Sequence, residues 1–454
     1  MITPATTFEA PRHASGGVRE VAILAYPIVL TQMSQTLMHL VDSIFVGRLG
    51  AAQLGALGFA GIWVWTVFSV FSGAASGVQT FVSQAHGAGD ARSCGRWAWQ
   101  GLYAVVPAAA LALAAFTVAA EPLWRLLGAG DEIRGHALSY LQMRPVGLVG
   151  LAIWMTLGAF FRGLGDTRTP LITTLVANVT NAVLTYGLVF GRLGLPAWGI
   201  AGAGLATSIA EWVGVVVLAV AFARRRVARE FGTAPVAPRW VEIRRFLRTG
   251  LPIGGQWFLD MAAFAIFTSV VATMGSAPMA ATQAMISLLS LSFMQAIGIG
   301  LAATTLVGRY LGAREPEHAE RSWRSALKLA LALAAAVAVL FVAIPDTLMR
   351  MYVDDPEVLV LGRPLLLLAA AFQLFDAIQI VLGGALRGAG DTRWPFLVQT
   401  TLAWALRLPL LWLFAGLLEG GVVGAWYAEF GFILALTAAL AWRVRSGAWK
   451  HVRI

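Results

Sequence analysis

RGLGDTRTP, residues 162–170, returns as RGAGDTRWP at residues 387–395, an offset of 225. The same offset carries Pro27 onto Pro252, Gly50 onto Gly275, Gly87 onto Gly312, Arg96 onto Arg321, Arg125 onto Arg350 and Glu132 onto Glu357. No net insertion accumulates across these pairs, so the chain consists of two copies of one unit. In each RGxGDTR segment the glycine before the aspartate is placed to end a helix, and Pro170 or Pro395 to open the next. The GxGD pattern also occurs in intramembrane aspartyl proteases. Here Asp166 is bracketed by Arg162 and Arg168, and Asp391 by Arg387 and Arg393, each in a short turn. That context reads as a turn with gating ion pairs rather than a catalytic centre.

Working outward, the composition sets the class. Of 454 residues, 58% are hydrophobic and only 12% charged, where soluble domains carry about 25% charged residues. Twelve apolar segments follow one another, at 20–46, 54–84, 96–120, 136–161, 169–191, 199–223, 247–273, 279–309, 323–344, 359–386, 394–417 and 421–442. Each is long enough to cross a bilayer, which predicts an all-α integral membrane protein of twelve helices. Six helices per copy is an even number, so both copies have the same orientation. They are expected as two pseudo-symmetric six-helix bundles about an axis along the membrane normal, with a substrate path between them. The predicted divisions are a cytoplasmic tail (1–19), a first bundle (20–224), a basic linker (225–245), a second bundle (246–443) and a second tail (444–454).

The formal net charge of +10 points to orientation rather than to nucleic acid. With both termini cytoplasmic, 25 of the 33 Lys and Arg residues fall in inside segments and 7 outside, leaving Arg407 within a span. That is the asymmetry of the positive-inside rule. The basic loop between spans six and seven, with Pro235 and Pro238, reads as a linker held near anionic headgroups. The single cysteine, Cys94, excludes an intrachain disulfide and a thiolate metal cluster. The first twenty residues have no apolar signal core, so the first span is expected to act as the insertion signal. QAHGAGD (84–90) and LGAGD (127–131) are read as further glycine turns; no glycine loop is followed by GK[ST], so no phosphate-binding loop and no ATP hydrolysis are expected.

The chemistry is sought in polar residues that the duplication does not repeat. In span one, Gln32, Gln35, His39 and Asp42 fall within about 80° of one another at 100° per residue, forming one polar stripe. A carboxylate there costs on the order of 3 kcal/mol in lipid, so the stripe must face protein or a water-filled cavity. Asp42 is the protonatable or cation-binding candidate, with a residue near extracellular water as the alternative. No second His or Cys stands at ligand spacing from His39, which reads as a hydrogen-bonding neighbour. Span seven places Gln256 and Asp260 one turn apart, and span ten Gln373 and Asp376, with Gln379 nearby. Gln283 is the first polar residue of span eight. Two aspartates with amides beside them suit Na⁺ or a shared proton, with a polar helix–helix contact between protonated carboxyls as the alternative. Asn178, Asn181 and Thr185 share a face of span five and extend the lining or glue helices. Under the repeat Asp42 aligns with Phe267, Asp260 with Gln35 and Asp376 with Leu151. Glu211 and Glu429 receive no role at this level.

With VDSIFVGRLG (41–50), GLPIGGQWFLD (250–260), AATQ (280–283), QLFDAIQ (373–379) and the paired RGxGDTR turns, the chain resembles the multidrug and toxic compound extrusion (MATE) family, and within it the bacterial NorM-like branch, over nearly its whole length. The resemblance implies a multidrug efflux antiporter in the bacterial inner (plasma) membrane, exporting organic cations in exchange for Na⁺ or H⁺. It implies no enzyme activity and no cofactor beyond the coupling ion. Small organic cations and membrane lipids are the implied partners of a monomer. By the same resemblance Asp42 is the first-bundle acid, Asp260 and Asp376 form the second-bundle cation site with Gln283 beside it, and Asn181 is the span-five asparagine. In that branch the span-seven acid is typically Glu, one methylene longer than Asp260. A lipid flippase of the same superfamily is the alternative, disfavoured by an acidic rather than cationic lining. An intramembrane aspartyl protease is the remote one.

Overall fold

A computed structural model of the chain describes residues 16–126, 130–352 and 355–452. Most of the first tail, residues 127–129 of the LGAGD turn, and Arg453 lie outside them. Among the described residues every regular element is helical, and twelve helices are long and apolar enough to cross a membrane. They are α1 (Val18–Gly47), α2 (Ala51–Gly87), α3 (Ala91–Leu126), α4 (Pro145–Leu164), α5 (Arg168–Phe190) and α6 (Gly199–Ala223). The second six are α7 (Trp240–Thr273), α8 (Ser276–Gly312), α9 (Pro316–Ala343), α10 (Pro356–Ala389), α11 (Arg393–Leu417) and α12 (Gly421–Arg445). The chain is a multi-pass membrane protein.

Two expected boundaries move. The fourth span begins at Pro145 rather than 136, because the chain breaks at Met143–Arg144 after a separate helix, Asp131–Gln142. Pro145 has no N–H to continue a hydrogen-bond ladder across the break, and it opens α4 at its first position. The basic linker is partly helical: Arg225–Phe231 forms a short helix, and α7 starts at Trp240, inside the stretch read as linker. The paired turns match each other. Gly165 and Gly390 end α4 and α10 at φ of 87° and 85°, donating at 2.9 Å to Arg162 and Arg387. Asp166 and Asp391 then donate at 2.9 Å to Phe161 and Leu386, closing two matched glycine caps.

The duplication is visible in the contacts between halves. Thr80 donates to the Arg387 carbonyl at 2.9 Å, and Thr305 to the Arg162 carbonyl at 2.9 Å. Moving Thr80 up by 225 and Arg387 down by 225 turns the first bond into the second. Likewise a Cβ on Gly87 would strike the Arg309 backbone, and one on Gly312 the Gln84 backbone. Gly73 approaches Gly254 as Gly298 approaches Val29. Each contact has its reciprocal, the signature of a two-fold relation. Glycines at these crossings let backbones approach closely, which is how helices associate where lipid offers no hydrophobic drive.

All described hydrogen bonds joining residues before 224 to residues after 236 lie at one end. They use residues 16–20, 79–84, 100 and 162–164 on one side and 237–239, 301–310 and 387–388 on the other. This is the end bearing the basic loops. The first turns of α1 cross over: Val21, Leu24, Ala25 and Ile28 belong to the core of the second half. Phe246, near the start of α7, belongs in return to the core of the first. At the other end Phe267, Val271, Ala281 and Met285 form a core with second-half residues alone.

Candidate functional site

Asp42 is buried, at 6% exposure, where α1 meets α5 and α6. Thr185 donates to its Oδ1 at 3.1 Å, and the Thr207 hydroxyl lies 3.3 Å from its Oδ2. Thr207 also lies 2.9 Å from the Ala203 carbonyl and accepts from Asn181 Nδ2 at 3.2 Å. A hydroxyl has one hydrogen to give. With it turned to Asp42, the cluster holds a carboxylate; with it turned to Ala203, Asp42 can donate a proton of its own to Thr207. The cluster can therefore hold Asp42 in either protonation state without moving a helix. Sequence reasoning does not reach Thr207, since one threonine in an apolar span carries no signal of its own.

The rest of the stripe is less enclosed. Gln32 and Gln35 are half-buried, His39 is exposed, and their side chains make no hydrogen bond among the described residues. Asn178 does not reach Asp42; its Nδ2 donates to the Ser34 carbonyl at 2.7 Å and so joins α5 to α1.

In the second half the structure brings together residues that the sequence left apart. Arg407 on α11 is 2% exposed, and its guanidinium sits between two acids. Its Nη2 is 3.3 Å from Asp260 Oδ1 on α7, and its Nη1 is 3.5 Å from Glu429 Oε2 on α12. It also lies 4.5 Å from the centre of the Phe432 ring. The Glu429 side chain is 4% exposed and that of Asp260 36%. The α11 helix widens to i→i+5 turns over Ala403–Arg407 and again over Trp412–Leu417, on either side of Pro409. Such widened turns re-aim side chains and recur at functional sites. The sequence signal is a single charged residue within an apolar span, which shows that a partner is needed but not which one.

Asp376, half-buried, accepts from Gln379 at 3.0 Å on its own helix. Gln373 is 2% exposed, and neither its amide nitrogen nor its oxygen has a partner among the described residues. Gln256 donates to Gln399, linking α7 to α11. Gln283 is exposed on α8, with no side-chain hydrogen bond among the described residues. No group of three or more His, Cys, Asp or Glu among the described residues is arranged to hold a metal ion. What the arrangement offers is Asp376 within electrostatic reach of Asp260, and two carboxylates, Asp260 and Glu429, that share one arginine.

A second ion pair explains Glu211. Arg144, at the break before α4, meets it with both terminal nitrogens, at 2.9 and 2.8 Å. Their side chains are 6% and 5% exposed. This pair ties α4 to α6 in the half that holds Asp42.

The RGxGDTR turns differ in their charges. Asp166 accepts from the backbone N–H groups of Arg168 and Thr169, at 3.1 and 3.0 Å, and so caps α5. Asp391 instead pairs with Arg443 at 2.7 Å. Arg162 donates to Gln79 at 3.2 Å, Arg387 contributes its carbonyl to Thr80, and Arg168 and Arg393 are exposed.

Comparison with known proteins agrees with this architecture. A family model described as MatE matches residues 27–187 and again 252–413. The two matches begin at Pro27 and Pro252, at the offset of the repeat. The chain is 30% identical over 434 residues to "Probable multidrug resistance protein NorM" of Thermotoga maritima, covering 95% of this chain and 93% of that protein. It is 31% identical over 431 residues to the protein of the same name from Rhizobium meliloti, covering 92% and 91%. The crystal structure of the eukaryotic MATE transporter AtDTX14 superposes with a TM-score of 0.85 at 20% identity, covering 95% of this chain and 96% of that one. On these grounds, the chain belongs to the MatE family.

Proposed function

We propose that the chain is a secondary active multidrug efflux antiporter, not an enzyme. It exports organic, mostly cationic lipophilic compounds in exchange for Na⁺ or H⁺. The single observation that carries this reading is that the aspartates exempt from the duplication, Asp42, Asp260 and Asp376, lie within spans, where a carboxylate is costly and kept for a task. The names of the relatives as multidrug resistance proteins support the substrate class.

The transporter sits in the bacterial inner membrane with both termini in the cytoplasm, as the distribution of Lys and Arg supports. The two bundles, 20–224 and 246–443, rock about the crossing of α1, α2, α7 and α8. Hydrogen bonds between the halves that lie only at the basic end support a state closed to the cytoplasm and open outward. In that state an incoming ion reaches the acids and displaces the exported cation, because a carboxylate favours one cation at a time. Asp42 holds or releases a proton through the Thr207 switch. At Asp260 an arriving cation meets a carboxylate that shares Arg407 with Glu429, so one negative charge is left for it to counter. An inward ion supplies about 2.3 kcal/mol per charge per 100 mV.

The test is ethidium efflux from cells expressing Asp376→Asn or Asp42→Asn. Loss of efflux at wild-type expression is expected for both. Undiminished efflux would remove the substituted residue from the coupling site.

A further inference from the structure

A cavity of about 590 Å³ opens at the basic end, between the first turns of α7 and the turn that joins α10 to α11. Its lining includes Arg244, Arg245, Arg248 and Arg393, with Trp240 and Asp391. The one acid is already engaged: Asp391 pairs with Arg443 at 2.7 Å, and its side chain is 7% exposed. Arg245 lies over the Trp97 ring at 5.8 Å. Arg244, Arg248 and Arg393 are exposed and have no ion pair or hydrogen bond among the described residues. At the mouth, Trp240 and Val241 are 70% and 80% exposed, an apolar pair beside a cationic pocket.

Orientation alone accounts for arginines on this face, but not for their gathering in one half. The repeat supplies the control. Subtracting 225 maps Arg244, Arg245, Arg248 and Arg393 onto Arg19, Glu20, Ile23 and Arg168. Four positive charges on one side thus stand against a net of one on the other. Glu20 is itself engaged, accepting from Tyr310 at 2.9 Å. The scaffold is shared and the charge is not, the same pattern that singles out the transport acids.

We propose that this cavity binds the headgroup of an anionic phospholipid, its phosphodiester held by Arg244, Arg248 and Arg393, with Trp240 and Val241 against the acyl side. Placing it at the inner leaflet rests on the orientation given above; binding itself does not depend on the direction or the driving ion of transport. Basic pockets between spans on the cytoplasmic side are suited to such headgroups, since the charge is met at the membrane surface and the chains stay in lipid. The residues that line the pocket all come from the second half of the chain, near its seam with the first. Phe246 beside it packs in the first core, and Ala389 at the turn in the second. A bound headgroup therefore joins the start of α7, which packs on the first half, to the α10–α11 turn.

The test uses the purified full chain in detergent, titrated with phosphatidylglycerol, phosphatidylcholine or soluble glycerol 1-phosphate and read by native mass spectrometry. Retention of phosphatidylglycerol over both others is expected. The triple variant Arg244→Gln/Arg248→Gln/Arg393→Gln should weaken it at least tenfold, and Arg248→Gln alone by a smaller factor. The linker variant Arg224→Gln/Arg225→Gln/Arg229→Gln removes the same charge from the same face and should stay within twofold of wild type. Equal weakening by the two triple variants would mean diffuse attraction and overturn the site. So would an unchanged pocket variant. Equal binding of glycerol 1-phosphate would identify a free-phosphate site instead of a lipid one.

Discussion

Replacing Arg407 with Met keeps the apolar stem of the side chain and removes its charge, leaving two acids without their cation. The costs are unequal. The Glu429 side chain is 4% exposed, and stripping the partner from a buried pair costs about 3–5 kcal/mol. That of Asp260 is 36% exposed, and a pair so open to solvent contributes about 0–1 kcal/mol. Glu429 therefore decides the outcome: Arg407→Met should destabilise by about 3–5 kcal/mol. Adding Glu429→Gln should recover all but about 1 kcal/mol, whereas adding Asp260→Asn should recover about 1 kcal/mol or less. The assay is denaturant unfolding of purified protein, followed by the fluorescence of its 17 tryptophans. Equal rescue by Asp260→Asn and Glu429→Gln would refute the assignment of the cost to burial. So would an Arg407→Met protein within 1 kcal/mol of wild type.

Other perturbations probe the first half and the closure. Arg144→Met should cost about 3–5 kcal/mol because Glu211 stays buried and unpaired, and Glu211→Gln in the same chain should restore most of it, measured by the same unfolding series. Asp42→Asn should unfold within about 1 kcal/mol of wild type, since the amide accepts from Thr185 and donates to Thr207; a larger loss would make Asp42 chiefly structural. Gly298→Val places a side chain against the backbone of Val29, a close approach that should cost about 1–3 kcal/mol in the state closed at the basic end. Its signature is a higher rate of thiol labelling at a cysteine introduced at Thr80, and labelling at the wild-type rate would count against the proposed closure.

Much of the fold is legible in the sequence because a bilayer leaves few choices. Apolar length sets the twelve spans, and the Pro27–Pro252 and RGxGDTR pairs set the duplication. Their matched glycine caps, at φ of 87° and 85°, follow from turns that only glycine adopts without strain. The site is legible only as single residues. Asp42, Asn181 and Thr185 stand out as polar groups in apolar spans, but Thr207 becomes part of their cluster through a contact between helices. Arg407 and Glu429 are each conspicuous in the sequence and each without a role there, because a buried charge announces that it has a partner without naming it. The widened turns of α11 leave no periodic trace beyond Pro409. The crossing of Val21 to Ile28 into the other half's core is hidden for a different reason: a repeat aligns residues that correspond, not residues that touch.

Export through the unshared acids is driven, on this reading, by an ion moving down its gradient. The most direct measurement is ethidium transport in proteoliposomes with a Na⁺ or a pH gradient imposed one at a time. Uphill ethidium transport driven by at least one of these gradients is expected, and its loss in Asp376→Asn protein that still binds ethidium. Ethidium movement indifferent to both gradients, or a coupled rate unchanged in Asp376→Asn, would contradict ion-driven export through these acids.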